Sequence, residues 1–379
     1  MSYTPSHPDN PWFTAGDSEV RLLRDGAEAF PAMLDAIASA EREVLLEFYW
    51  ITPDSVGKLF RDALTACASR GVRVCVIYDS LGSRGMTAEW WIPLIDAGGA
   101  VWEYHAILPF SDAFKIDHVV QRDHRKLLVV DGRIGFIGGI NLGEPWLAQD
   151  EGGQGWRDDM VAVRGEAVHE MRALFFRSWR RVTRELPPRD VRPIAHKRPG
   201  PVFILASQRR RRRNIHREYL VRINGARMRI DIANAYFVPD RSMRTALFRA
   251  VSRGVRVRVL FPASSDVPGL QFAVEALFDT LLRHGVELYA LPPPMMHAKT
   301  AIVDESFVTI GSYNLDERSW RNNLEANLGI VDGPFARHVT EWFEHDVARA
   351  DRVDLAAWRA RSLARRGVEW VALAMRGLW

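Results

Sequence analysis

The sequence predicts an α/β fold made of two duplicated halves, and three features of the chain carry that prediction. The stretch from His124 to Asn141 recurs from His297 to Asn314, with each shared residue displaced by 173 positions. Ahead of each copy, apolar runs of strand length alternate with segments of helical period, the pattern of α/β layering. Within each copy, two aliphatic runs flank a short acidic turn, Asp131-Gly132 in the first and Asp304-Glu305 in the second, which reads as a hairpin.

Residues 1–17 are polar and Pro-rich, lack the basic and apolar regions of a signal peptide, and are expected to form a tail. The first half is placed at residues 18–185. There a helix is expected from Ala27 to Ala40, a strand from Val44 to Ile51, a helix from Val56 to Ala68 and a strand from Val72 to Tyr78. An amphipathic helix follows near Ala167 to Thr183, and residues 186–201, Pro- and charge-rich without periodicity, read as the linker. The second half, residues 202–350, repeats the first: Ile230 to Val238 runs into Pro239-Asp240 as the earlier strand runs into Pro53-Asp54. Likewise Arg253-Gly-Val-Arg-Val257 echoes Arg70-Gly-Val-Arg-Val74. Residues 351–379 form an amphipathic C-terminal segment.

With 47% apolar residues in 379, both halves can build packed cores. The net charge of +4 is a mild basic excess that favours anionic partners without choosing between phospholipid and nucleic acid. Cys67 and Cys75 stand in a helix and a strand interior, so neither a disulfide framework nor a zinc cluster is expected, and a reducing cytosol fits. No run reaches the length of a spanning helix, so the chain is not expected to cross a membrane.

The repeated stretch carries the chemistry. Each copy holds His and Lys two apart (His124/Lys126, His297/Lys299), Asp five later (Asp131, Asp304), and a small pair before an Asn (Gly138, Gly139, Asn141; Gly311, Ser312, Asn314). Chance would place only about 0.15 His-x-Lys triplets in such a chain. The basic residues comprise 46 Arg and only 5 Lys, yet two of those Lys stand here. A compact ammonium fits a crowded phosphoryl oxygen where a planar guanidinium does not.

Strand alternation puts each His and Lys on one face. With a two-residue turn, Gly139 falls opposite His124 and Ser312 opposite His297, clearing space for a ligand, while Asn, Ser and Lys offer donors to an anion. Seven strand steps span roughly 23 Å, so Asp131 cannot hold the His124 ring. Glu325 is the expected orienting acid for His297, and Asp158 for His124.

These residues resemble the phospholipase D superfamily, whose signature H-x-K-x4-D-x6-G-[GS]-x-N is complete in both copies. The second copy continues into Asn314-Leu-Asp316-Glu-Arg318-Ser319. The resemblance covers residues 18 to 350 and lies nearest the bacterial cardiolipin synthases without N-terminal membrane helices. It implies two phospholipase D-like α/β/α halves packed with pseudo-two-fold symmetry, the active site at their interface. It also implies a phosphohistidine intermediate, with His124 as nucleophile and His297 as acid and base, and it groups Asp131 and Asp304 with the catalytic residues. Lys126, Lys299, Gly139, Asn141, Ser312 and Asn314 would bind or support the phosphoryl group. No cofactor is implied, and two ammonium groups among the ligands oppose a metal.

The resemblance implies phosphatidyl transfer between two phosphatidylglycerol molecules, giving cardiolipin and glycerol. A phospholipase D-type hydrolase or a nuclease is the alternative that the motifs do not separate from it. The partners would be anionic phospholipid and the inner face of the cell membrane, with the protein cytoplasmic and peripheral. The motifs do not specify an oligomer. Two stretches stand outside the repeat. The run Arg209, Arg210, Arg211, Arg212, Arg213 reads as a contact for lipid phosphate in preference to nucleic acid, because its lead into Tyr219-Leu also resembles cardiolipin synthases. Val353 to Trp379 mixes Leu355, Trp358, Val368, Trp370, Leu373 and Trp379 with arginines, and reads equally as an interfacial helix or as one packed on the second half.

Overall fold

The strand Glu43-Val-Leu-Leu-Glu-Phe48 is buried along its whole length, which requires cover on both faces and partners for its two acids. Arg172 pairs with Glu43, and Arg125 Nη1 reaches Glu47 Oε1 at 3.1 Å. The computed structural model that shows this describes residues 10–106, 120–192, 200–208 and 212–375. It divides into two compact units.

Unit 1 comprises residues 1–205 together with 310–312 and 324–329. Its strands are β1 (Phe13–Ala15), β2 (Ser18–Arg24), β3 (Glu43–Phe48), β4 (Arg73–Asp79), β5 (Ala100–Tyr104), β6 (Lys126–Val130), β7 (Ile134–Gly138) and β8 (Asp159–Gly165). They form one mixed sheet in the order β1-β2-β8-β7-β6-β3-β4-β5. β3, β4 and β5 run parallel, and β6 returns antiparallel beside β3. Around the sheet lie α1 (Asp25–Ala38), α2 (Ser55–Ser69), α3 (Ile92–Asp96) and α4 (Glu166–Thr183). Asp54 caps α2 by accepting from Gly57 N–H at 3.0 Å, so the Pro-Asp pair after β3 starts a helix. β1 pairs with β2 and draws Phe13 to Ala15, within the expected tail, into the sheet.

Unit 2 holds residues 206–309, 313–323 and 330–379. In chain order the next elements are β9 (Val202–Gln208), β10 (Arg212–Arg213), α5 (Asn214–Gly225), β11 (Arg229–Asn234), α6 (Arg241–Ser252), β12 (Arg256–Pro262), α7 (Pro268–Glu275), α8 (Phe278–Arg283), β13 (Glu287–Leu291), β14 (Lys299–Val303) and β15 (Phe307–Gly311). Then come α9 (Glu317–Arg321), β16 (Ala326–Ile330), α10 (Gly333–Ala348), β17 (Asp351–Arg352), α11 (Leu355–Arg359) and α12 (Leu363–Ala374). β11, β12 and β13 are parallel, β14 runs antiparallel to β11, and β17 antiparallel to β13. This repeats the β3, β4, β5, β6 arrangement. Asp240 caps α6 through Met243 N–H at 2.9 Å, as Asp54 caps α2. Arg209, Arg210 and Arg211 lie outside the described residues, while Arg212 and Arg213 pair along the backbone with Gln208 and Ser207.

The first hairpin corrects the expected register. Asp131 and Gly132 take φ of 55° and 64°, and Arg133 N–H donates to Val130 O at 2.9 Å, so the two-residue turn forms. The ladder nevertheless pairs Val130 with Ile134 and Leu127 with Ile137. Arg133 is thus an extra residue on the returning strand, and the one-residue shift moves Gly139 off His124.

Candidate active site

In unit 1, His124 leads into β6 from a segment held by long-range backbone bonds. Leu324 N–H donates to Arg122 O at 2.8 Å, and His124 N–H to Leu324 O at 2.9 Å. Beneath it, the Arg122 guanidinium is buried against Asp79, which also accepts from Asp123 N–H at 2.8 Å. The bridge carries Glu325 to the imidazole: Nδ1 of His124 lies 3.0 Å from Glu325 Oε2 and 3.1 Å from the carbonyl oxygen of Ser312. Two acceptors at Nδ1 place the proton on that nitrogen and fix the orientation of the ring. Glu325 is wholly buried, which alone would raise its pKa. The His124 charge and hydrogen bond, the Lys126 charge and the Ser312 hydroxyl outweigh burial, holding the carboxyl below its ordinary range. It stays ionised beside the ring.

The expected pairing of acids is therefore corrected. Glu325, assigned from the sequence to His297, orients His124. Asp158, assigned to His124, does not occupy that Nδ1. Its carboxylate accepts from Trp146 Nε1 at 3.0 Å and from Asp159 N–H at 2.8 Å. Gly139 makes room for this carboxylate, since a Cβ there would sit 2.2 Å from Asp158 Oδ1. Ser312 lies with the first-motif histidine, its Oγ donating to Glu325 and also accepting from Ala326 N–H at 3.0 Å.

Lys126 has no exposed surface; its Nζ donates to its own motif's His124 carbonyl at 2.6 Å and lies 4.9 Å from the centre of the Tyr49 ring. The same ring packs edge-on against His124 at 4.6 Å. Asn141 is buried, with Oδ1 accepting from Trp50 N–H at 3.2 Å.

Unit 2 contains the second motif in matching form. Lys299, also fully buried, donates to the His297 carbonyl and lies 5.7 Å from the Tyr236 ring, which packs edge-on against His297 at 6.1 Å. Asn314 differs from Asn141: its Oδ1 is buried with no hydrogen-bond partner among the described residues. Here Asn234 makes the backbone contact, accepting from Leu315 N–H at 3.2 Å.

The signature aspartates stand at the turns. Asp131 accepts from the backbone N–H groups of Glu41, Arg42 and Glu43 at 3.0, 2.8 and 2.9 Å, and Asp304 from those of Arg227, Met228 and Arg229 at 2.8, 2.8 and 3.0 Å. Each clamps its hairpin to the start of β3 or β11. Burial opposes ionisation of Asp131, but the three N–H donors prevail and lower its pKa.

Tyr49 and Tyr236 were not among the sequence-derived site residues. A usable signal existed, because each half ends its first strand in an aromatic pair shortly before Pro-Asp: Tyr49-Trp-Ile-Thr-Pro-Asp54 and Tyr236-Phe-Val-Pro-Asp240.

Known proteins resemble this chain in sequence and in fold. Residues 33–179 and 219–347 match the family described as cardiolipin synthase, PLD-like domain. The chain is 30% identical to the probable cardiolipin synthase YwiE of Bacillus subtilis, across 95% of this chain and 72% of that protein. It is 34% identical to cardiolipin synthase A of Pseudomonas putida, across 89% and 70%. Among solved structures, the phosphatidylserine synthase of Haemophilus influenzae superposes with a TM-score of 0.72 at 14% identity, covering 97% of this chain and 96% of that one, a likeness of fold. The chain belongs to the cardiolipin synthase family of phospholipase D-like proteins.

Proposed function

We propose that the protein is a phosphatidyltransferase that joins two phosphatidylglycerol molecules into cardiolipin and releases glycerol, working at the cytoplasmic face of a membrane. The observation that carries this reading is the His124 imidazole, oriented at Nδ1 by a buried carboxylate whose pKa is held low, the arrangement that positions Nε2 for attack. Nε2 attacks phosphorus, the bond from phosphorus to the glycerol oxygen breaks, and the leaving glycerol takes a proton from His297. A hydroxyl of the second phosphatidylglycerol then returns a proton to His297 and attacks the phosphohistidine, which frees His124 and forms cardiolipin. Lys126, Lys299 and Asn314 supply charge and hydrogen bonds for the phosphoryl oxygens.

The test is incubation of purified protein with labelled phosphatidylglycerol vesicles, with and without added alcohols, reading products by mass. Cardiolipin plus glycerol is expected. Phosphatidic acid as the sole product would assign the protein to hydrolysis, and transfer to an added alcohol without cardiolipin would move the acceptor away from lipid.

A further inference from the structure

Helix α12 is mounted with its polarity reversed. Its inward side carries charges beside the apolar Ala372 and Leu373: Glu369 is buried and takes Arg361, while Arg365 Nη2 reaches Glu275 Oε2 on α7 at 2.8 Å. Its outward side is apolar, with Val368 50% exposed, Trp370 68%, Val371 61% and Met375 42%. Gly367 and Ala374 complete that side, and its charged member is Arg366. A helix ordinarily buries such a stripe and turns its charges to water. Here the ion pairs hold the helix on unit 2 and the apolar stripe is left outward. Of the two sequence alternatives, packing on the second half holds for one face of this element, and the other face is exposed.

The charges around the stripe select its partner. Trp370 borders a cleft of about 210 Å³ lined by Arg283, Arg359, Arg361 and Arg366 together with the carboxylates of Glu275, Asp279 and Glu369. Arg283 and Arg359 are engaged with Asp279, at 2.9 and 2.6 Å. Arg366 also bears on Asp279, whose pKa its charge helps to lower, but among the described residues it makes no ion pair within 4 Å. The outward face of α12 carries no carboxylate, so a second copy of it would bring Arg366 no counter-charge, whereas a lipid phosphate would.

We propose that α12 seats the protein on an anionic bilayer, with Val368, Trp370, Val371 and Met375 entering the boundary of the acyl region and Arg366 meeting a lipid phosphate. Aromatic and aliphatic side chains flanked by arginine suit that depth. The inference rests on the reading that the substrate is a bilayer phospholipid, and it names the element that delivers the protein to it.

Because Cys67 and Cys75 are buried, an environment-sensitive fluorophore can be placed selectively through V371C. With phosphatidylglycerol vesicles its emission should shift to the blue; with phosphatidylcholine vesicles the shift should be much smaller, and salt should reduce it. The double substitution W370S/V371S should lower the vesicle-bound fraction about tenfold while leaving turnover of a short-chain, monomeric phosphatidylglycerol unchanged. R366E should weaken binding to phosphatidylglycerol vesicles specifically. A label that stays in water on vesicles that nevertheless retain the protein would overturn the proposal, as would W370S/V371S binding like the parent. Lipid-free dimers that W370S/V371S dissociates would instead assign the face to a second copy. Vesicle binding through this face without product would preserve the docking and remove the proposed reaction, whereas cardiolipin formation with the label in water would do the reverse.

Discussion

The two motif copies share their local construction and differ in what surrounds the histidine. In each, a buried lysine donates to its own histidine's carbonyl, a tyrosine ring lies against both, and an aspartate at the turn gathers three backbone N–H groups. The first copy's histidine, however, is furnished by one residue within the second copy and one beyond it: Ser312 and Glu325 belong to unit 1 and bind His124 Nδ1. The difference teaches that duplication preserves what a hairpin can specify by itself, while the electrostatics of the histidine come from a segment two hundred residues away. It also separates the asparagines, since Asn141 is spent on Trp50 N–H whereas Asn314 keeps a buried acceptor open.

The comparison breaks most sharply at the histidines. His124→Ala and His297→Ala should each lower turnover about 10⁴-fold with the fold retained. Trapping substrate during turnover should label His124; label on His297 alone would exchange the two roles. Either variant keeping near-parental turnover would end the two-histidine scheme.

Glu325→Gln comes next, with an expected loss of about 10³-fold, because the ring loses the charge that stabilises its cationic and phosphorylated forms. The pH dependence of stability supplies a second reading. Since the folded carboxyl titrates below its ordinary range, the ion pair's contribution is complete above the unfolded carboxyl's pKa and is lost as pH falls through the folded value. The difference in melting temperature between parent and Glu325→Gln should therefore be largest near neutrality and shrink in strong acid. A difference that instead grew on acidification would contradict the assigned ion pair.

Lys126→Arg and Lys299→Arg should each cost about 10²-fold in kcat despite the retained charge, since the wider group cannot donate to the histidine carbonyl from the same enclosed space. Equal losses would support the equivalence of the two copies, and unchanged kcat in either would remove the steric argument. The smallest effect on turnover is expected at the turns. Asp131→Asn and Asp304→Asn should destabilise by about 3 kcal/mol in denaturant unfolding while the folded fraction stays active, because each leaves N–H donors poorly matched. Asp131→Asn should be the more damaging, Asp131 being buried and Asp304 half-buried. Loss of activity without loss of stability would return these aspartates to the chemistry.

By itself the sequence determined the duplicated α/β halves, the hairpins, and the His and Lys that share a strand face, because those follow from periodicities of two and 3.6 and from turn residues a few positions apart. The caps at Asp54 and Asp240 follow in the same way from Pro-Asp before a helical period. The tertiary structure alone decided three other matters. It set the one-residue slip that moves Gly139 from His124 to Asp158, because an extra residue at Arg133 alters pairing without altering the turn signal. It gave Glu325 to His124, because the bridge between Asp123 and Leu324 joins segments whose distance along the chain carries no local pattern. It also turned the apolar side of α12 outward, since a helical stripe records which residues share a face and not which way that face points; here the direction is set by where Arg361 and Glu275 wait for its charges.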